Sequence, residues 1–215
     1  MSCYIRQMTK EDIGQVTEID REAFPSQWPS PNYQNEIRNQ ATYYYVACDG
    51  EKRAPKPDPG PGPEKKPGWL LAGLKQLFHI GDIANINSAR DGAYITGFVG
   101  SWIIAGEAHI TSIAVRQAYR RQGIGESLLI SAIEKALQLK ADIVTLEVRV
   151  SNTGAQSLYT KYGFIQVGVR KGYYTDNRED AFIMSTDKIA SAPYQSRFQA
   201  LKQAHIKSIS REPSP

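Results

Sequence analysis

Residues 110–115 read as a strand, and shortly after them Arg120, Arg121, Gln122, Gly123, Ile124 and Gly125 lead into an apolar stripe at helical spacing: Leu128, Leu129, Ala132, Ile133, Ala136 and Leu137. The stripe predicts a helix of about four turns lying on a core. The first turn of such a helix leaves backbone N–H groups without intrahelical partners. Glycines let the chain curl closely around a ligand there, and the helix dipole favours negative charge. Arg120 and Arg121 add two cations. The segment therefore predicts a turn that holds a pyrophosphate. A glycine pair alone is a weak sign, because short glycine motifs arise in many loops; the strand before it and the helix after it carry the reading.

Downstream, residues 143–150 predict a strand with Thr145, Glu147 and Arg149 on one face, after which Ser151 or Asn152 can cap a helix ending at Gly163. Tyr159 shares a face of that helix with Ala155, Leu158 and Tyr162. A carboxylate and a phenol brought together can serve as general base and general acid. Each has an ordinary alternative: Glu147 as the outward residue of an alternating strand, Tyr159 as a core aromatic, Asn152 as a plain helix cap. His109 has strand neighbours and no metal-ligand partner at useful spacing, so it reads as structural and no metal site is expected.

With 215 residues, 41% apolar and 22% charged, the chain suits one soluble globular domain. No apolar run approaches the roughly 18 residues of a membrane-spanning helix, and residues 1–6 lead into an alternating strand without the charged leader of a secretory signal. The expected location is cytoplasmic. Cys3 and Cys48 are too few for a disulfide framework. The net charge of +4 comes from scattered Lys and Arg, so direct nucleic-acid binding is not expected.

The opening reads as strand, helix, helix, strand. Thr9 to Asp12 resemble a capping box before Ile13, Val16, Ile19 and Ala23; Ser30 and Pro31 mark a second helix start; Thr42 begins a Tyr- and Val-rich strand. Over residues 50–68 the composition turns to Pro, Gly, Lys and Glu, which predicts a flexible insertion. Leu70, Leu71, Leu74, Leu77 and Phe78 then predict an inserted amphipathic helix over about 69–80, either covering the core or docking a partner. Residues 94–104 and 107–115 predict a hairpin turning at Ala105 and Gly106, and residues 164–169 and 181–184 an antiparallel pair with Tyr173 and Tyr174 in the connection. The catalytic domain is placed at residues 1–190. The tail, 191–215, reads as a short helix carrying Tyr194, Phe198 and Leu201 and then as disordered.

The residues Ile110 to Val115, Tyr119 to Gly125, Leu146 to Arg149, Asn152, Leu158, Tyr159, Tyr162 to Phe164, Tyr173, Tyr174 and Arg178 to Ala181 resemble the GNAT superfamily of N-acetyltransferases. Within it they are most similar to the RimI-type enzymes that acetylate the N-terminal alanine of ribosomal protein S18. Phe24, Pro25 and Trp28 add a weaker match. The resemblance implies an α/β (α+β) fold: a mixed, mostly antiparallel sheet of six to seven strands, splayed between the fourth and fifth and flanked by helices on both faces. It implies acetyl-CoA in the splay, with Ile113, Ala114 and Val115 on the pantetheine arm, residues Arg120 to Gly125 on the pyrophosphate, Asn152 on the arm, Glu147 as base and Tyr159 as acid. The rivals are the same enzyme class acting on a small amine or a lysine side chain, and a non-catalytic domain that binds acetyl-CoA or docks a partner.

Overall fold

The computed structural model describes residues 3–24, 31–54 and 92–210. Seven strands form one sheet: β1 (Cys3–Gln7), β2 (Thr42–Arg53), β3 (Ala93–Ile104), β4 (Glu107–Val115), β5 (Ile143–Arg149), β6 (Phe164–Tyr174) and β7 (Glu179–Thr186), in the order β1-β2-β3-β4-β5-β7-β6. Every neighbouring pair is antiparallel except β4 and β5, which run parallel and are joined by helix α3 (Ile124–Gln138). Helices α1 (Ile13–Ala23) and α2 (Tyr33–Glu36) cover one face; α3, α4 (Thr153–Lys161) and α5 (Ala192–Ile209) pack on the other. No helix among the described residues is long and apolar enough to cross a membrane.

Two cores sandwich the sheet. Leu128, Leu129, Ala132, Ile133 and Ala136 of α3 meet Ile110, Leu146, Phe164 and Phe198 on one side, and Val16 and Ile19 of α1 meet Tyr33, Tyr44, Ile95 and Phe98 on the other. The α3 stripe, the hairpin over β3 and β4 with positive φ at Ala105 and Gly106, and the capping box closed by Asp12 on the Thr9 N–H (2.8 Å) all follow the sequence reading. The capping box opens a single 3-10 turn, Lys10–Asp12, that leads into α1.

Several boundaries differ. The described N-cap of α2 is Asn32, whose side chain accepts from the Asn35 N–H, and the helix is a single turn. Strand β6 runs through Tyr173 and Tyr174, and Tyr174 pairs with Glu179, so both residues belong to the strand instead of the connection. The last helix is five turns long, through Ile209, not short. Strand β2 extends to Arg53, into the stretch assigned to the insertion, while the remainder of that insertion and the helix expected over 69–80 lie outside the described residues.

Gly100 in β3 is fixed by close approach. A Cβ there would sit 2.4 Å from Tyr44 Cε1 and 3.0 Å from Ser112 Oγ, and the Tyr44 ring is buried edge-on against Tyr33 at 5.6 Å between centroids. Gly100→Ala is expected to cost about 1–3 kcal/mol through overpacking, measured as a lower urea midpoint; an unchanged midpoint would show that the aromatic pair yields freely.

Candidate active site

The cleft arises where two parallel strands part. Pairing between β4 and β5 runs from Glu107 opposite Ile143 to Ile110 opposite Leu146 and stops. Beyond that point, among the described residues, β4 is held only by β3, and β5 only by β7. A bulge marks the divergence: Gly100 faces Ser112 and Ser101 faces Ile110, so Thr111 is the extra residue. Along residues 111–115 alternate backbone N–H and C=O groups thus face the gap with no strand among the described residues to bond. The gap is a cavity of about 480 Å³, walled by Ile113, Ala114 and Val115 on β4, Glu147 and Arg149 on β5, Asn152 and Tyr159 of α4 and its N-cap, Arg120 and Gly125 at the start of α3, Phe24 after α1, and Tyr173 and Tyr174 on β6.

At the loop end, Gly123 is the N-cap of α3 with φ of 81°, and Arg121 also has positive φ, at 64°. Gly123 offers no side chain to the first turn, so N–H groups there stay open to an anion. Arg120 donates from Nε to the Val115 carbonyl (3.2 Å) and Gln122 from Nε2 to the Ala118 carbonyl (3.2 Å), which fixes the loop against its approach. Asn152 accepts the Ala155 N–H on Oδ1 at 3.2 Å; the cap engages only its oxygen, leaving the amide N–H₂ for a ligand.

Glu147 is held at both oxygens, with a side chain 8% exposed: Oε2 lies 3.0 Å from His109 Nε2 and Oε1 3.0 Å from Arg170 Nε. The His109 hydrogen bond, with the charges of His109 and Arg170, keeps its carboxyl below the usual carboxylate range against the opposing effect of burial. His109 stacks on Trp102 at 5.0 Å between centroids. The Thr145 hydroxyl commits its proton to Glu107 Oε1 (2.5 Å), so its oxygen accepts from His109 Nδ1 (2.8 Å). A line of contacts therefore runs from Arg170 through Glu147, His109 and Thr145 to Glu107. His109 does not line the cavity and reaches it through Glu147, a contact that its reading as a structural strand residue did not include.

Across the cleft, Tyr159 is 5% exposed and makes no hydrogen bond among the described residues; burial pushes its phenol well above the usual range. Arg149 is engaged elsewhere, over the Tyr174 ring at 3.8 Å and paired with Asp176 (2.8 Å) and Glu179 (3.0 Å). Among the described residues no group of three or more His, Cys, Asp or Glu is placed to hold a metal.

The sequence profile of the acetyltransferase (GNAT) family matches residues 60–164. A Bacillus subtilis protein provisionally named a ribosomal protein bS18-alanine N-acetyltransferase is 33% identical over 180 residues, 84% of this chain and 92% of its own. The chain belongs to the GNAT family. Among solved structures, the ribosomal-protein-S18-alanine N-acetyltransferase from Escherichia coli superposes with a TM-score of 0.60 at 23% identity, over 89% of this chain and 97% of that one. Arabidopsis thaliana NAA60 in complex with acetyl-CoA superposes with a TM-score of 0.63 at 18% identity, over 86% and 98%. Both share the fold. This GNAT enzyme is an N-acetyltransferase that uses acetyl-CoA, and its cleft fits that cosubstrate: an unpaired strand edge to suit an amide-bearing arm, an uncapped helix start to suit phosphates, and the unengaged N–H₂ of the Asn152 carboxamide between them.

Proposed function

We propose that this enzyme acetylates the N-terminal alanine of a ribosomal protein of the S18 type, in the cytoplasm, by direct attack of the amine with both substrates bound. The observation that carries the reading is the similarity to the Bacillus subtilis protein along nearly the whole length of both chains. The cleft supports it by setting a fixed carboxylate and a protonated phenol in the wall of one cavity.

In this reading backbone groups of Ile113, Ala114 and Val115 hold the pantetheine arm and polarise the thioester carbonyl, Arg120, Arg121, Gln122, Gly123, Ile124 and Gly125 hold the pyrophosphate, and the Asn152 amide steadies the arm. Fixed N–H groups stabilise charge developing on the carbonyl oxygen without reorganising. Glu147, positioned by His109 and Arg170, receives the amine proton directly or through water as the new C–N bond makes the nitrogen acidic. Tyr159 donates to the leaving sulfur.

Incubation with acetyl-CoA and a peptide bearing the S18-type N-terminus is expected to give a single acetyl group on the α-amine, read by mass spectrometry. Product on a polyamine or an internal lysine, with none on the peptide's α-amine, would move the acceptor to the rival class; cofactor binding without transfer to any of them would overturn the catalytic reading.

A further inference from the structure

The far end of α5 returns to the start of α3. His205, 4% exposed, sets Nε2 2.7 Å from Ser127 Oγ and Nδ1 3.5 Å from Glu126 Oε2. Its ring and Ile209 press on Gly123: a Cβ there would be 2.9 Å from His205 Cε1 and 3.2 Å from Ile209 Cγ2. Glu126 is also held by Lys161 Nζ (2.5 Å) and the Tyr162 hydroxyl (2.6 Å), while Tyr194 and Arg197 of α5 donate to the carbonyls of Tyr162 (3.1 Å) and Lys161 (2.8 Å). With Nδ1–H turned to the Glu126 carboxylate, Nε2 accepts the Ser127 proton.

None of Gly123, Glu126 and Ser127 lines the cavity, whereas Arg120 and Gly125 do. His205 therefore touches the loop from outside the cavity wall. Gly123, with no side chain, has little of its own to hold a left-handed conformation, since glycine gives up the most freedom on ordering. A loop held in its binding shape beforehand loses less entropy when a ligand arrives.

We propose that α5 is a brace for the phosphate-binding loop and that His205 is its positioning residue, so that acetyl-CoA affinity in this chain depends on its C-terminal helix. The inference rests on reading the loop from Arg120 to Gly125 as the pyrophosphate site.

The test uses the full chain carrying His205→Ala, His205→Gln or Arg121→Ala, with acetyl-CoA Kd by calorimetry and kcat and KM on the acceptor peptide. His205→Ala is expected to raise the acetyl-CoA Kd and KM about tenfold, the effect of about 1.4 kcal/mol of lost preorganisation. The kcat at saturation and the peptide KM should stay within about twofold. His205→Gln, whose amide reaches the Nε2 position, should recover most of the affinity. If His205→Ala lowers kcat in proportion to a reduced folded fraction and leaves Kd unchanged, the brace is overturned. The same holds if His205→Gln folds as the parent does and binds acetyl-CoA no better than His205→Ala. A Kd unchanged in His205→Ala but raised in Arg121→Ala sinks the brace and spares the loop; a Kd unchanged in both removes the pyrophosphate reading itself.

Discussion

Glu147→Gln is expected to lower turnover with both substrates saturating by roughly 10²-fold or more, the scale of a positioned acid or base group. The size follows from what the carboxylate does in the cleft. Glu147 Oε1 and Oε2 take hydrogen bonds from Arg170 and His109. A carboxamide can serve one of these donors with its oxygen and turns N–H₂ toward the other, so it gives up the negative charge, the proton acceptor and one anchor together. The carboxyl sits below its ordinary range. Against an α-amine of pKa about 8 it is a poor base: a full transfer to a carboxylate of pKa about 4.3 would already cost roughly 5 kcal/mol. The proposed role of Glu147 is therefore to take the proton during C–N bond formation and not to deprotonate the free ammonium.

That assignment has a pH signature. The neutral amine is the nucleophile, so kcat/KM should rise with pH through a midpoint near about 8, set by the acceptor. In Glu147→Gln the plateau drops and the midpoint stays. An acid limb that moved or vanished in the variant would show that Glu147 sets it, and near-parental rates would end its catalytic role. Stability gives a second check. A depressed carboxyl contributes stabilisation that is present above its unfolded pKa of about 4.3 and is lost as pH falls through the lower folded value. The Tm gap between parent and Glu147→Gln should accordingly narrow as pH falls below about 4.

How much of this could be read from the chain depended on whether the signal was local. The α3 stripe from Leu128 to Leu137 repeats at helical spacing, and β4 alternates between a Gly106 turn and Arg116, so both were legible almost to the residue. Strand β6 was cut short because it is an edge strand whose residues 165–167 and 169–173 are largely exposed, leaving no alternation to read. The end of α5 was lost for a related reason: Lys202, Gln203 and Lys207 are polar, and what holds that turn is His205 on a loop almost eighty residues earlier in the chain. The contact of His109 with Glu147 was not legible because it depends on the register of two parallel strands separated by a whole helix. His109 lies opposite Thr145, which puts Glu147 one step further along the same face. Spacing within one strand carries no trace of that.

Tyr159→Phe should reduce kcat by roughly 10- to 10²-fold while leaving the fold as stable as the parent, within about 0.5 kcal/mol. The two halves of this expectation come from the same environment. The Tyr159 hydroxyl has no hydrogen-bond partner among the described residues, so removing it orphans no donor or acceptor there, and the ring keeps its place against Phe164 at 5.8 Å between centroids. Burial raises the phenol's pKa, which keeps it protonated across the working range and available as a donor. A departing thiolate of roughly cysteine-like basicity, about 8.5, gains from a donor held in place in a cavity edged by Leu158 and Tyr174. The raised phenol also predicts no alkaline loss of activity from Tyr159 ionisation up to pH about 10, so parent and variant should keep a constant rate ratio over that range. A ratio that collapsed toward one at alkaline pH would assign the phenol's titration to the rate. A fall in stability matching the fall in kcat would return Tyr159 to the core.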